Sequence, residues 1–298
     1  MKKIRTFLLS TLLLCGIAFM VTAQDEEKVV DKPIRPPFQS GYLLDNQTTY
    51  LPVEGTLEMI IHHRFGVTSN GSSDLWGIYA PANIRMGFNY NIKDYLQVGI
   101  GTTKFRKLQD VSYKALILQQ TRSGRIPVSI AFYGNIALDA RDEAVFGVDY
   151  EFAHRFSYFN QLIISRKIND MFSVQLAPSF AHYNIVEQGL QNRYAGISFN
   201  GRARISPQTS IVFQYDTPIE IDALLVKGQA GLDGSFEHEL PKANIGIGIE
   251  IATSTHAFHI FLASGQGIVP QENMLFNRND FFDGGMLLGF NMTRLWNW

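Results

Sequence analysis

The chain has 298 residues, enough for one large domain or two small ones, and a formal net charge of −1. This balance excludes a general nucleic-acid binder, because neutralising phosphate groups requires an excess of clustered Lys and Arg. Charged residues make up 18% and aromatic residues 12% of the chain, and neither fraction decides between a soluble and a membrane protein. The class therefore has to come from the order of residues along the chain.

Residues 1–23 have the features of a cleaved signal peptide. A basic start is followed by an apolar stretch over residues 7–21, which is too short to span a bilayer as a helix. The small residues Val21-Thr22-Ala23 precede an acidic run, so we expect cleavage after Ala23 and export. The only cysteine, Cys15, lies inside this segment, and the mature chain would therefore form no disulfide and no cysteine-based site.

Residues 24–52 form a polar segment with four prolines. This composition predicts an extended periplasmic leader with little regular structure of its own. Within it, residues 38–44 are apolar enough to dock onto another surface. We therefore expect this stretch to make the contacts of the leader.

From residue 53 onward, apolar and polar residues alternate with a period of two, as in β-strands with two unlike faces. About twelve such segments follow one another, among them Phe172–Tyr183 and a weaker one over Phe152–Arg166, and each has about the ten residues that a tilted strand needs to cross a membrane. No apolar run after residue 21 approaches the ~20 residues of a membrane helix. The predicted fold class is all-β, a closed antiparallel transmembrane β-barrel over residues 53–298 with about twelve strands in an up-and-down meander.

The connections alternate between short and long. Tight turns such as Arg122-Ser123-Gly124-Arg125 and Ser206-Pro207-Gln208 alternate with long loops such as Gly66–Pro81, as in bacterial outer-membrane barrels, whose short turns face the periplasm. A soluble β-sandwich or a lipocalin-like barrel would also alternate. Its polar face would be rich in Lys and Glu, whereas the polar positions here include many Gly, Ser, Asn and Gln. We therefore predict a protein of the cell outer membrane, in contact with outer-membrane lipid.

The last strand has the ending that is typical of outer-membrane barrels, in which apolar residues alternate and an aromatic residue comes last as a signal for the barrel-insertion machinery. Phe290, Met292, Trp296 and Trp298 keep this spacing, and Arg294 interrupts it. Trp298 is therefore the predicted contact with the insertion machinery.

Several short pieces resemble, in their order, an uncharacterised family of outer-membrane β-barrel proteins from didermal bacteria, known as a domain of unknown function. The pieces are His63-Arg64-Phe65-Gly66, Asn83-Ile84-Arg85-Met86-Gly87-Phe88, Pro127-Val128-Ser129-Ile130 and Gln161-Leu162-Ile163-Ile164-Ser165-Arg166-Lys167. The resemblance implies a barrel in the outer membrane. It implies no activity, substrate or catalytic residue.

Charged residues on the polar faces of the strands would point into the lumen of such a barrel. The candidates are Glu58, Arg64, Arg85, Arg202, Arg204, Asp216 and Glu250. One interpretation is a lattice of ion pairs that fills and stiffens the barrel, because buried charges need partners. The other is a slightly cationic pore that favours anions, since rings of Arg and Lys select in that way. The two can coexist.

Two loops are more apolar than solvent exposure requires. The longest, Pro218–Pro241, could fold into the lumen as a plug or contact a partner. The last long loop carries Met274-Leu275-Phe276 and Phe281-Phe282. Glycines at inward positions, such as Gly99-x-Gly101, are expected to make room inside the barrel.

Catalytic and metal-binding chemistry has weak support. His62 and His63 are adjacent and would face opposite sides of a strand, and no histidine pair has the spacing of a metal site. Outer-membrane lipid hydrolases place His and Ser close together on one strand, whereas Ser69 follows these histidines by six or seven residues, in a predicted turn. We predict no metal, no cofactor and no catalytic residue.

Three functions agree with these patterns. The first is a narrow outer-membrane channel for small, anionic solutes. The second is a structural or assembly barrel with a filled lumen that binds a periplasmic or surface partner through the leader or the long loops. The third, with the least support, is a lipid hydrolase embedded in the barrel, and we predict that the protein is not an enzyme.

Overall fold

Twelve long antiparallel strands close into a barrel in the part of the chain that the computed structural model describes, residues 31–186, 190–219 and 241–297. A hairpin of two short strands, β1 (Tyr42–Leu43) and β2 (Asn46–Gln47), precedes them. The barrel strands are β3 (Leu57–Val67), β4 (Asn83–Lys93), β5 (Leu96–Thr103), β6 (Leu108–Leu118), β7 (Ser129–Asp139), β8 (Phe156–Lys167), β9 (Phe172–Tyr183), β10 (Arg193–Arg204), β11 (Thr209–Ile219), β12 (Asn244–Ala252), β13 (His256–Ala263) and β14 (Leu287–Trp296). Each pairs with the next along the chain and β14 pairs with β3, which confirms the predicted closed up-and-down barrel.

The two faces of the barrel wall have opposite chemistry. Along β4, Arg85 and Asn89 point inward and are buried, whereas Met86, Phe88 and Tyr90 point outward and are exposed. The same alternation recurs around the wall, so the outside is apolar and the inside is polar. A soluble barrel has the reverse arrangement, and an apolar outside is what a barrel in lipid requires.

The barrel has two unlike ends, called here the turn end and the loop end. At the turn end most connections are short, and the barrel begins there at Leu57 and ends there at Trp296. At the loop end most connections are long, as in residues 140–155 and 264–286. The connection over residues 119–128, at the turn end, is longer than the tight turn predicted there, and it contacts the leader.

The leader fills part of the lumen, in which residues 37–49 are mostly buried. Pro33 pairs with Thr121 at the turn end, and the chain then runs into the lumen and turns back between β1 and β2. It leaves the lumen at the turn end, where Asn91 Nδ2 donates a hydrogen bond to the Pro52 carbonyl at 2.5 Å. A periplasmic location stays a prediction for residues 24–30, which lie outside the described residues.

Apolar side chains anchor the leader in the lumen. Phe38, Leu43 and Leu44 are almost completely buried, and they pack in one cluster with Val212 and Phe261 of the wall. These residues belong to the stretch 38–44, for which the sequence predicts a docking role. The surface onto which it docks is the inside of its own barrel.

A seven-residue helix, α1 (Pro270–Phe276), lies in the loop-end half of the lumen. Its Met274 and Leu275 are buried in a cluster with wall residues that include Ala177 and Tyr194. The apolar character of this loop in the sequence therefore reflects burial, and seven residues are too few to show a helical period. Among the described residues, no helix combines the length and the apolar character needed to cross a bilayer.

Some predictions concern boundaries or residues that the structure does not describe. β8 begins at Phe156 rather than at the predicted Phe152, because residues 152–155 form a 3-10 turn in which the Glu151 N–H donates to His154 Nδ1 at 3.1 Å. In the predicted plug loop, residues 218 and 219 belong to β11 and residues 220–240 lie outside the described part. The signal peptide and Trp298 lie outside it as well.

Candidate functional site

Oppositely charged side chains pair across the inner wall. Arg85 on β4 donates two hydrogen bonds to Asp110 on β6, from Nε at 2.8 Å and from Nη2 at 2.7 Å. Arg202 on β10 donates from Nε to Glu250 on β12 at 2.6 Å, and His259 Nε2 lies 3.3 Å from the other oxygen of that carboxylate. Such pairing compensates for the loss of hydration that buried charges suffer.

Glycines leave the space that the Arg85–Asp110 pair occupies. A Cβ atom on Gly101 would overlap both the guanidinium and the carboxylate, and one on Gly87 would lie 2.7 Å from Arg85 Nη1. The predicted role of the inward glycines is therefore explained by a specific ion pair.

The tip of the leader hairpin is held by polar contacts with the wall. Asp45 forms an ion pair with Arg64 on β3. Its second carboxylate oxygen accepts hydrogen bonds from Gln214 Nε2 and Asn244 Nδ2, both at 2.9 Å, and its N–H donates to Gln214 Oε1 at 2.9 Å. Asn46 Nδ2 donates to Asp216 at 2.5 Å. The leader thus supplies a carboxylate and an amide that complete the charge lattice of the wall.

A second contact between leader and wall lies nearer the turn end. Lys114 Nζ donates to the Gly41 carbonyl at 3.3 Å and to Gln47 Oε1 at 3.1 Å. A Cβ atom on Gly41 would meet Lys114 Nζ at 3.3 Å and the Glu58 carboxylate at 3.5 Å, so the leader backbone passes between these two charges. On the wall side, Asn89 Nδ2 donates to Glu58 at 2.9 Å.

The charged residues named from the sequence lie in two places. Six of them are buried in the lumen and belong to the lattice or line the leader, namely Glu58, Arg64, Arg85, Arg202, Asp216 and Glu250. Arg204 instead lies half-buried at the turn end, at the rim of the barrel. There it lines a cavity of about 390 Å³ together with Arg35, Tyr50 and Lys167. Burial, with a contribution from Glu58, raises the pKa of Tyr50 to about 12.

Two cavities lie at the loop end, with volumes of about 570 Å³ and 300 Å³. Arg106 and Phe276 line both of them. Lys104 and Arg278 also line the larger one. Glu272 lines it as well, and burial raises the pKa of this carboxyl to about 7, although Arg106 acts in the opposite direction. The loop-end mouth is therefore rich in cations.

Sequence reasoning missed four groups of this lumen, Asp45, Asp110, Lys114 and Arg106. Asp110 and Lys114 share the inward side of β6 with Leu108 and Ser112, and this period of two was the signal available. Asp45 acquires its role only because the leader folds into the barrel, which no local pattern announces.

The hydrolase hypothesis finds no matching geometry among the described residues. His62 points inward, with its ring 4.8 Å from that of Tyr42, and His63 lies against Phe65. Ser69 lies in a 3-10 turn after β3, and none of the hydrogen bonds found in the described ranges joins it to either histidine. The described residues also hold no cluster of His, Cys, Asp or Glu suited to a metal ion.

An apolar outer face, a polar lumen and a closed meander of twelve strands define a membrane β-barrel of the outer-membrane type. The chain belongs to the family described as membrane bound beta barrel domain (DUF5777), whose profile matches residues 38–296. This match confirms the resemblance seen in the sequence.

Solved structures of outer-membrane proteins are similar to this chain at low sequence identity. An outer membrane channel from Pseudomonas putida F1 is 12% identical, with a TM-score of 0.49, covering 83% of this chain and 97% of that one. The NanC porin is 7% identical, with a TM-score of 0.47 and coverages of 80% and 98%. LpxR from Salmonella typhimurium is 10% identical, with a TM-score of 0.37 and coverages of 82% and 100%. Comparison with curated protein sequences gives no match.

Proposed function

We propose that the protein is an outer-membrane channel for small anionic solutes, closed by its own leader. The observation that supports this most directly is the chemistry of the hairpin tip, which is held by an ion pair and hydrogen bonds to Arg64, Gln214 and Asn244. Water can replace such contacts when the hairpin leaves. The exposed polar wall would then line an aqueous path.

The route of the leader also supports its removal. Pro33 and Pro52, the two ends of the inserted segment, both contact the turn end of the barrel. A segment that enters and leaves on one side can withdraw without being threaded through the barrel. Opening therefore requires no change in the pairing of the barrel strands.

Cationic mouths support the preference for anions. At the turn end, Arg35 and Arg204 line the cavity, where the carboxylate of Asp170 is already paired with Lys167 at 2.7 Å. At the loop end, the cations are Lys104, Arg106 and Arg278. A positive potential at both entrances raises the local concentration of anions and favours their passage.

A disulfide lock tests the gating step. The hydroxyls of Thr49 in the leader and Ser165 on β8 hydrogen-bond to each other in the lumen, so the double variant Thr49→Cys/Ser165→Cys would tether the leader to the wall. The two single variants are matched controls, because they carry the same side-chain changes without the tether. Single-channel conductance in planar bilayers is recorded before and after reduction.

We expect the oxidised double variant to show no channel openings. Reduction should restore the openings, and both single variants should show them without reduction. Asp45→Asn, which removes the ion pair with Arg64, should increase the open fraction. Absence of conductance from the wild type, the reduced double variant and Asp45→Asn would reject a channel.

The reversal potential in a KCl gradient tests selectivity. It should indicate a preference for chloride, and Arg204→Gln should reduce that preference because it removes a cation from the turn-end mouth. Equal permeability of both ions in the wild type would reject the anionic part of the proposal.

A second candidate function is a structural or assembly barrel that binds a partner, and the filled lumen favours it. In that case residues 33–52 of the leader are a permanent part of the core, and residues 24–32 reach the partner. Failure of all three proteins to conduct, together with capture of one defined periplasmic protein that is lost on removing residues 24–32, would support this alternative.

A further inference from the structure

The short connection between β5 and β6 lies at the loop-end mouth of the barrel, and its backbone has an unusual conformation. Arg106 and Lys107 have φ angles of +56° and +49°, so two consecutive residues with side chains adopt the left-handed region. Residues other than glycine rarely do so, and such strain is found preferentially where a side chain must be aimed at a ligand. Arg106 is the side chain that this turn directs over the mouth.

The Arg106 guanidinium is held in place while its donors stay unused. It lies 4.2 Å from the centre of the Phe276 ring on α1 and 5.6 Å from that of Phe105. Stacking on aromatic rings fixes the plane of a guanidinium without using its N–H groups. Within the described ranges, Arg106 donates no hydrogen bond and forms no ion pair. The group is therefore preorganised to receive an anion.

The larger loop-end cavity brings this donor together with buried acceptors that lack partners. Glu272 is 3% exposed and Asn273 is 8% exposed, and both line the cavity. Asn273 Oδ1 accepts no hydrogen bond from the described residues, and the Glu272 carboxylate has only contacts with the Ile268 and Val269 N–H groups that fall short of hydrogen-bond geometry. Buried acceptors without donors are rare, because they lose hydration without compensation.

We propose that this cavity binds a small carboxylate that also carries hydroxyl groups. The carboxylate of the ligand accepts hydrogen bonds from Arg106, with Lys104 and Arg278 adding positive charge. Its hydroxyl groups donate to Glu272 and to Asn273 Oδ1, which satisfies both acceptors. The cavity volume of about 570 Å³ fits a ligand of this size.

This inference deepens the proposed function by naming the class of solute. Passage of this solute through the barrel rests on the proposed channel function, whereas binding of the solute in the cavity does not. Equilibrium binding and conductance therefore give separate answers about the two.

Titration calorimetry on the full-length barrel in detergent, at constant ionic strength, provides the test. The probes are gluconate, which has a carboxylate and hydroxyls, propionate, which lacks hydroxyls, and glucose, which lacks the charge. We expect gluconate to bind about tenfold more tightly than either, because each of them misses one of the two sets of partners.

Variants assign the two sets of partners. Arg106→Gln should weaken gluconate and propionate alike by about tenfold, and Arg106→Lys should recover part of that loss by keeping the charge. Glu272→Leu should remove the advantage of gluconate over propionate. Arg122→Gln, an exposed arginine at the turn end, is the matched control and should leave binding unchanged.

Circular dichroism establishes first that each variant keeps its strands. Equal, weak binding of the three probes, or unchanged gluconate binding in Arg106→Gln, would overturn the site even if the channel conducts. Tight gluconate binding by a protein that never conducts would uphold the site and reject the channel.

Discussion

The Asp110 carboxylate is buried and accepts two hydrogen bonds from the guanidinium of Arg85. Asp110→Asn should destabilise the barrel by about 3 kcal/mol, because the guanidinium would remain in the lumen without a counter-charge. Urea unfolding in lipid vesicles, followed by tryptophan fluorescence, measures the loss. Asp170→Asn is the control, since that side chain is 80% exposed in its ion pair and its removal should not change the midpoint. Equal midpoints for both variants would mean that the lumen is hydrated enough to screen the lattice.

Glu272 should make the docking of α1 depend on pH. Burial raises the pKa of this carboxyl from 4.5 to about 7, opposed by Arg106 and by the N–H groups of Ile268 and Val269, with a smaller contribution in the direction of burial from Asp139. The folded chain therefore binds the proton more tightly than the unfolded chain. The corresponding stability is fully present below about pH 4.5 and is lost as pH rises through about 7. At about 1.4 kcal/mol per pH unit, the rise from 4.5 to about 7 corresponds to at most about 3.5 kcal/mol of stability.

Hydrogen exchange of the α1 amides, corrected for intrinsic rates, measures this dependence. Protection should fall between pH 5 and pH 8 in the wild type and stay level in Glu272→Gln, which cannot ionise. The same fall in both proteins would attribute the pH dependence to another group.

At the scale of elements, one of the contacts that hold α1 against the wall is especially close. A Cβ atom on Gly196 of β10 would overlap the sulfur and methyl group of Met274. Gly196→Val should therefore displace α1 and speed limited proteolysis within residues 264–286 by about tenfold, because docked segments are protected. Gly201→Val on the same strand is a matched control, since a Cβ atom there meets nothing within 4 Å. Equal proteolysis of both variants would show that the loop holds its position without this contact.

The elements differ in how much of them the sequence could reveal. Phe172–Tyr183 was predicted with its observed bounds, because a strand between lipid and a polar lumen must alternate at every residue. Helix α1 could not be predicted, since it is stabilised by Met274 and Leu275 packing on strands far away in the sequence. The apolar stretch 38–44 indicated docking, but its partners Val212 and Phe261 become neighbours only in the closed barrel.

The same distinction applies to the site. The alternation of inward and outward residues along a strand places Arg64 and Glu250 in the lumen, even when their partners are unknown. The alternation does not show how far along the barrel axis a residue lies. It therefore could not show that Arg204 lies at the rim and not in the lattice. Arg106 escaped notice because its role depends on a left-handed turn and on Phe276, which comes from another loop.

For the whole molecule, orientation in the membrane is open to a direct test. We expect the turn end to face the periplasm, as short turns do in outer-membrane barrels. The predicted cleavage after Ala23 would remove Cys15, the only cysteine of the chain, so that single introduced cysteines report on each end. Val148→Cys, in an exposed loop-end position, should react with an impermeant maleimide on whole cells, and Ser254→Cys, in an exposed turn, should react only after the cells are opened. The opposite labelling would show that the loop end faces the periplasm.

The hairpin tip also bears on how the barrel assembles. Leu44 accepts a hydrogen bond at 2.6 Å from Asn291 on β14, and Asn291 in turn accepts one at 2.8 Å from Arg64 on β3. The leader therefore touches both strands of the seam, which are the most distant pair in the sequence. Joining them carries the largest loop-closure entropy of any strand pair in the barrel. A chain lacking residues 33–52 should thus form its earlier strand pairs at normal speed and complete the β3–β14 seam late.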